Sequence, residues 1–132
     1  MVWGMNVLLD TCTFLWLTLE NAKLSKLAVA TINGESNRLF LSDVSLWEIC
    51  LKYQAGKLEL PHTPAIWLPE QRAFYNLTPL PIRETSVFLT CNLPPLHQDP
   101  FDRLIAAQAI ENQFTILSPD RPLSLLGASR LW

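Results

Sequence analysis

The chain has 132 residues, a formal net charge of −2 and 17% charged residues. It therefore has the size of one compact domain with one core, and it lacks the basic footprint common in nucleic-acid binders. Three cysteines, Cys12, Cys50 and Cys91, are odd in number, widely spaced and free of any CxxC pair. That argues against a disulfide framework or a zinc site; each lies in an apolar run and reads as a small buried hydrophobe in a reducing cytosol. No stretch approaches the ~18 apolar residues of a membrane span, and no basic n-region with an apolar run opens the chain. The reading is a cytoplasmic protein, with Met5 as the true start or residues 1–4 as a short extension.

In chain order, Asn6-Val7-Leu8-Leu9 reads as a buried strand ending at Asp10. Thr11 to Leu19 reads as a helix capped by Asp10 or Thr11, and Ser25 to Ile32 as a second helix stopped near Asn33-Gly34. Leu39-Phe40-Leu41 is a short strand, and Ser42 or Asp43 caps a helix that runs to about Ala55 and ends at Gly56. Leu60 onward reads as a loop and then a helix, interrupted or restarted near Pro69. Leu77 to Ile82 holds two prolines and suits an edge strand. Glu84 to Asn92 is a short helix, and Leu93 to Gln98 a proline-containing loop. Asp99-Pro100 opens a helix to about Gln113, Phe114 to Leu117 is a third buried strand, and Ser129 to Trp132 a last edge strand. Strands alternating with helices predict an α/β fold, a mostly parallel sheet covered on both faces.

Several acidic residues fall where such sheets gather chemistry, at the carboxyl ends of strands. Asp10 ends the first strand and reads as an N-cap or a metal ligand. Glu48 shares a narrow polar sector with Ser45 and Lys52 on an otherwise apolar helix, as a solvated pair with Lys52 or as a cleft lining. Asp99 suits an N-cap, and Asp102 suits either the first helical turn or a site beside Ala106 and Ala109. Asp120 sits in a proline-flanked turn past the FTIL strand, as turn chemistry or as a further ligand. His62 and His97, both in proline-bearing loops, read as ordinary surface residues.

Taken together, NVLLDTCTFLW, LSDVSLWEICLKYQAGKLEL and HQDPFDRLIAAQAIENQFTILSPDRPL resemble the PIN domain, most closely the VapC-type toxin ribonucleases of toxin–antitoxin pairs. DPFDRLIAAQA is the most specific segment; Leu60 to Leu80 is the least family-like. The resemblance spans nearly the whole chain and implies one three-layer α/β/α domain over residues 1–132. It implies Asp10, Glu48, Asp102 and Asp120 as the catalytic acids, with Asp10, Asp102 and Asp120 as metal ligands. Asp99, Ser118 and Thr11 become accessory residues, Ser118 standing where the family often has Thr. A homodimer and a cognate antitoxin are expected from the same resemblance.

The chemistry agrees with such a set. Mg2+ and Mn2+ prefer oxygen ligands, and crowded carboxylates repel one another until a cation joins them. The expected activity is in-line hydrolysis of an RNA phosphodiester by a metal-activated water, without a histidine base. Arg103, Arg121 and Lys52 lie beside the acids and would contact RNA phosphates or pair with the neighbouring carboxylates. Ile66, Trp67, Leu68, Phe74 and Tyr75 form an apolar cluster read as core, dimer surface or antitoxin groove. Two alternatives share the fold: a non-catalytic interaction module, and a DNA-directed nuclease using the same acids. A haloacid-dehalogenase-type phosphatase would need an acid where Cys12 stands, and a phospho-accepting receiver would need a late lysine, absent after Lys57.

Overall fold

The computed structural model describes residues 4–132, so most of the possible N-terminal extension lies outside the described residues. Five strands form one sheet: β1 (Asn6–Leu9), β2 (Arg38–Ser42), β3 (Thr78–Leu80), β4 (Thr115–Leu117) and β5 (Arg130–Leu131). Their order is β3-β2-β1-β4-β5, and every pairing is parallel. The two strands expected at edges, β3 and β5, are at the edges, where Pro79 removes no bond from a central ladder.

Alternate strand residues feed opposite cores, as the pleat requires. Val7, Leu9, Leu39, Leu41 and Leu117 join one apolar cluster, together with Phe14 and Leu17 of α1 (Thr11–Leu19), Ala28 of α2 (Lys26–Asn33), and Trp67 and Leu68 of α4 (Pro64–Phe74). Leu8, Phe40 and Ile116 face the second cluster, built largely from Ile105, Ala106, Ala107 and Ala109 of α6 (Pro100–Asn112). Helix α3 (Asp43–Gln54) serves both, through Ile49 on one side and Val44 on the other. α5 (Glu84–Leu89) packs against α6. The result is a three-layer α/β/α sandwich, and no helix among the described residues is long and apolar enough to cross a membrane.

Local chemistry explains the boundaries. Asp10, Ser25, Ser42 and Asp99 are N-caps whose side chains accept backbone N–H bonds from α1, α2, α3 and α6. Gly56, at φ +72°, takes the left-handed conformation just past α3. Two expectations need correction. Helix α4 runs unbroken through Pro69, which lies only one turn past the helix start on an exposed face, so the Ala65 carbonyl it leaves unbonded is open to water. The cysteines are not all buried: Cys12 is half-buried, and Cys50 and Cys91 are exposed, because both sit on the outer faces of their helical turns.

Candidate active site

The chain lays β1, β2 and β3 in one direction across the sheet, then returns to place β4 on the other side of β1. The crevice at the carboxyl ends of β1 and β4 is thus the switch point where open α/β sheets bind ligands. A cleft of about 410 Å³ opens there, with Asp10, Glu48, Asp99, Asp102 and Asp120 on its walls beside Thr11, Cys12 and Trp16. Four segments far apart in sequence bring their acids to one place.

Asp10 is buried and does two things at once. Its Oδ1 accepts the Thr13 N–H at 2.8 Å, capping α1, while its Oδ2 accepts the Ser118 hydroxyl at 2.5 Å. Ser118 Oγ in turn accepts the Asp120 N–H at 3.0 Å, so one hydroxyl fastens the tip of β1 to the turn after β4. Burial pushes the Asp10 carboxyl above its ordinary pKa; the bonds from Ser118 and Thr13 oppose this, and the nearby Asp120 charge adds to it. Thr11, expected as an accessory residue, donates to Ser45 Oγ at 2.9 Å and so holds α1 against α3.

Glu48 reaches the cleft from the second turn of α3. Its polar sector faces inward, with Ser45 and Glu48 buried, while Trp47 and Leu51 face outward. Glu48 Oε2 pairs with Lys52 Nζ at 2.8 Å, realising the pair read from the sequence, but Oε1 is buried without any hydrogen-bond partner among the described residues. A buried carboxylate oxygen left bare is costly unless something cationic or protic meets it. Burial alone would lower the Lys52 pKa, but the Glu48 bond and the Asp99 and Asp102 charges leave it raised, so Lys52 is firmly cationic.

Asp99 Oδ1 caps α6 through the N–H groups of Phe101 and Asp102, at 2.9 and 3.3 Å. Asp102 projects from the first turn of α6. Its carboxyl is pushed up to about 7 by burial first, then by the charges of Asp99 and Asp10. Cys12, pushed to about 11 by burial and the Asp10 charge, is a thiol and not a nucleophile.

Two residues at or before the start of α6 behave differently from the sequence reading. His97 is not an ordinary surface side chain: only 14% of it is exposed, and its Nε2 lies 3.0 Å from Asp120 Oδ2 and 3.2 Å from Asp102 Oδ2. Nothing in its spacing signals this, because the course of the loop is set by contacts made only in the fold. His62 is exposed, as expected. Arg103 neither points to a phosphate site nor pairs with a carboxylate. Its guanidinium donates to the carbonyls of Thr90, Leu93, Pro94 and His97, because the fork of five N–H donors matches the turning loop above α6. We expect Arg103→Ala to destabilise the protein by about 2–4 kcal/mol in chemical denaturation, with Arg103→Lys recovering only part, since an ammonium cannot span four acceptors. A loss under about 0.5 kcal/mol, the range of an ordinary surface change, would contradict this role. Arg121 is exposed, has no ion pair among the described residues, and remains open to a phosphate together with Lys52.

The donors are therefore hard carboxylate oxygens with one imidazole close by. His97, Asp102 and Asp120 each offer an atom within 4.8 Å of the others. The bare Glu48 oxygen and the raised carboxyls of Asp10 and Asp102 mark negative charge that the protein itself leaves uncompensated, which fits a small divalent cation.

The sequence pattern of the PIN domain matches residues 7–127, and the chain belongs to the PIN domain family. It is 30% identical over 121 residues to Ribonuclease VapC22 of Mycobacterium tuberculosis, a match covering 89% of each chain. Among solved structures, VapBC2 from Rickettsia felis, crystallised bound to a DNA fragment from its promoter, superposes with a TM-score of 0.73 at 16% identity, covering 96% of this chain and 98% of that one. VapBC-5 from Mycobacterium tuberculosis, a member of the VapBC family of toxin–antitoxin systems, gives a TM-score of 0.59 at 18% identity, covering 96% and 95%. These likenesses are of fold.

Proposed function

We propose that this chain is a divalent-metal-dependent endoribonuclease and the toxin component of a toxin–antitoxin pair, acting in the cytoplasm. The observation that carries the reading is the convergence of Asp10, Glu48, Asp102 and Asp120 on one cleft, with Glu48 Oε1 buried and unpartnered. Asp10, Asp102 and Asp120 would hold Mg2+ or Mn2+. When bound, such an ion acidifies water and neutralises charge that develops on a phosphate under attack.

The protein's own groups do the rest. Ser118 fixes Asp10 and the Asp120 backbone in one frame, so the acids are set before substrate arrives. Glu48 lines the cleft with one oxygen on Lys52, and a turn of its carboxylate would let it accept a hydrogen bond from the attacking water and orient it in line with the leaving oxygen. Lys52 and Arg121 supply phosphate contacts at the rim without a wide basic field. Water attacks phosphorus, the bond to the bridging oxygen breaks, and the strand ends as one phosphate and one hydroxyl. The preference for RNA is supported by the name of the 30% identical relative, Ribonuclease VapC22.

An antitoxin partner is supported by the family of toxin–antitoxin systems to which VapBC-5 belongs. Exposed apolar side chains, among them Phe74 at 78% and Phe88 at 64%, give a homodimer or an antitoxin something to cover. Purified protein should cut single-stranded RNA with Mg2+ or Mn2+, leave DNA of the same sequence intact, and do nothing in EDTA. Cleavage that persists in EDTA overturns the metal chemistry; equal cutting of DNA overturns the substrate class; no cleavage under any condition favours an interaction module.

A further inference from the structure

We propose that His97 is a positioning residue of the metal centre: its Nε2–H donates to Asp120 and lies against Asp102, and so holds these two carboxylates at the spacing an ion needs. The inference rests on the divalent-metal reading above. The two acids come from different elements, Asp102 from α6 and Asp120 from the turn after β4, and no direct bond between them is formed. The imidazole is the group that spans them, at 3.2 and 3.0 Å.

The tautomer follows from the other ring nitrogen. The Asp99 N–H donates to His97 Nδ1 at 3.4 Å, so Nδ1 accepts and the ring proton belongs on Nε2, facing the carboxylates. A ligating imidazole would need the opposite arrangement, a bare Nε2 and a proton on Nδ1 given to an acceptor. The ring is therefore built to donate to the ligands and not to replace one. The ring meets each carboxylate at Oδ2, so neither Oδ1 is engaged by it.

The loop that carries His97 is itself braced. Arg103 binds the His97 carbonyl at 3.0 Å and three further carbonyls of the same turn, so the chain runs from Arg103 through the loop to the ring and then to both acids. A histidine held at 14% exposure in a segment without regular structure has little freedom to swing away.

The test uses full-length, tag-free protein, in which His62 is the other imidazole. Long-range 1H–15N correlation on the metal-free protein, with His62→Ala to assign the signals and at a pH high enough for the ring to carry a single proton, should show that proton on Nε2 of His97. Mn2+ binding, followed by the EPR signal of the free ion, should weaken roughly 10- to 100-fold in His97→Ala, the range for removing a hydrogen-bond partner of metal ligands. His97→Gln, which keeps an N–H donor, should recover most of that loss. Excess Mn2+ should restore turnover in His97→Ala. Pulsed EPR of the bound ion should show no directly coordinated nitrogen. A singly protonated ring with its proton on Nδ1, a nitrogen bound to Mn2+, or unchanged affinity in His97→Ala overturns the proposal. Failure of the wild-type protein to bind Mn2+ at all overturns the metal reading instead, so the two outcomes are separate.

Discussion

Asp102→Asn is expected to cut RNA cleavage by roughly 100- to 1,000-fold or more while making the metal-free protein more stable at neutral pH. The two effects have one cause. Asp102 is set among Asp10, Asp99 and Asp120, and burial and these neighbours push its carboxyl up to about 7. The asparagine keeps the shape and the contact with His97 but removes the charge that the site would pair with an ion. Cleavage with Mg2+ or Mn2+ measures the first effect. Thermal melting in EDTA at pH 7.5 measures the second, and a rise in melting temperature is the expected sign. The metal-induced rise seen in the wild-type protein should shrink in the variant. An Asp102→Asn protein that keeps its cleavage rate would remove Asp102 from the chemistry.

The second large effect is the dependence of metal-free stability on pH. The Asp102 carboxyl titrates near 7 in the fold, against 3.8 when free. A group whose folded pKa is raised contributes its full stability below the free value and loses it as pH climbs through the folded value. Asp10, raised by burial, acts in the same direction. The EDTA-treated protein should therefore lose stability steadily between pH 4 and pH 7. Because the cleft is open to water, the loss from Asp102 is screened to about 1–3 kcal/mol. Metal must displace protons from the same oxygens, so Mn2+ should raise the melting temperature more at pH 8 than at pH 5. Melting scans across this range, with and without Mn2+, decide the matter; a metal-free protein that gains stability from pH 5 to pH 8 would show that the acids are not crowded.

Most of the fold was legible because its punctuation is chemical. Asp10, Ser25, Ser42 and Asp99 announce four helices, and each caps one. The paired prolines around β3 pointed to an edge. Helix α3 was the harder case. Its narrow polar sector read equally as a solvated pair or as a cleft lining, and the structure turns Ser45 and Glu48 inward while Trp47 and Leu51 face solvent. Pattern alone cannot separate a buried polar stripe from a solvated one, since both have the same period. The acids were legible as a set through the DPFDR segment and the strand ends. His97 was not, because its place depends on Arg103 gathering loop carbonyls and on Asp99 turning its N–H to the ring. Neither leaves a trace in spacing. The cysteines failed for a related reason: an apolar run predicts burial of a helix, and only the packed structure says which residues face outward.

Strand β1 lies between β2 and β4, and the Asp10 N–H bonds to the carbonyl of Leu117. During synthesis the side of β1 that will meet β4 has no neighbour until β4 emerges, and the hydroxyl that secures Asp10, on Ser118, arrives with it. A chain in which β4 has not yet docked therefore lacks both the second wall of the crevice and the hydroxyl that fixes Asp10. The parallel topology thus ties completion of the crevice to a strand laid down long after β1 itself.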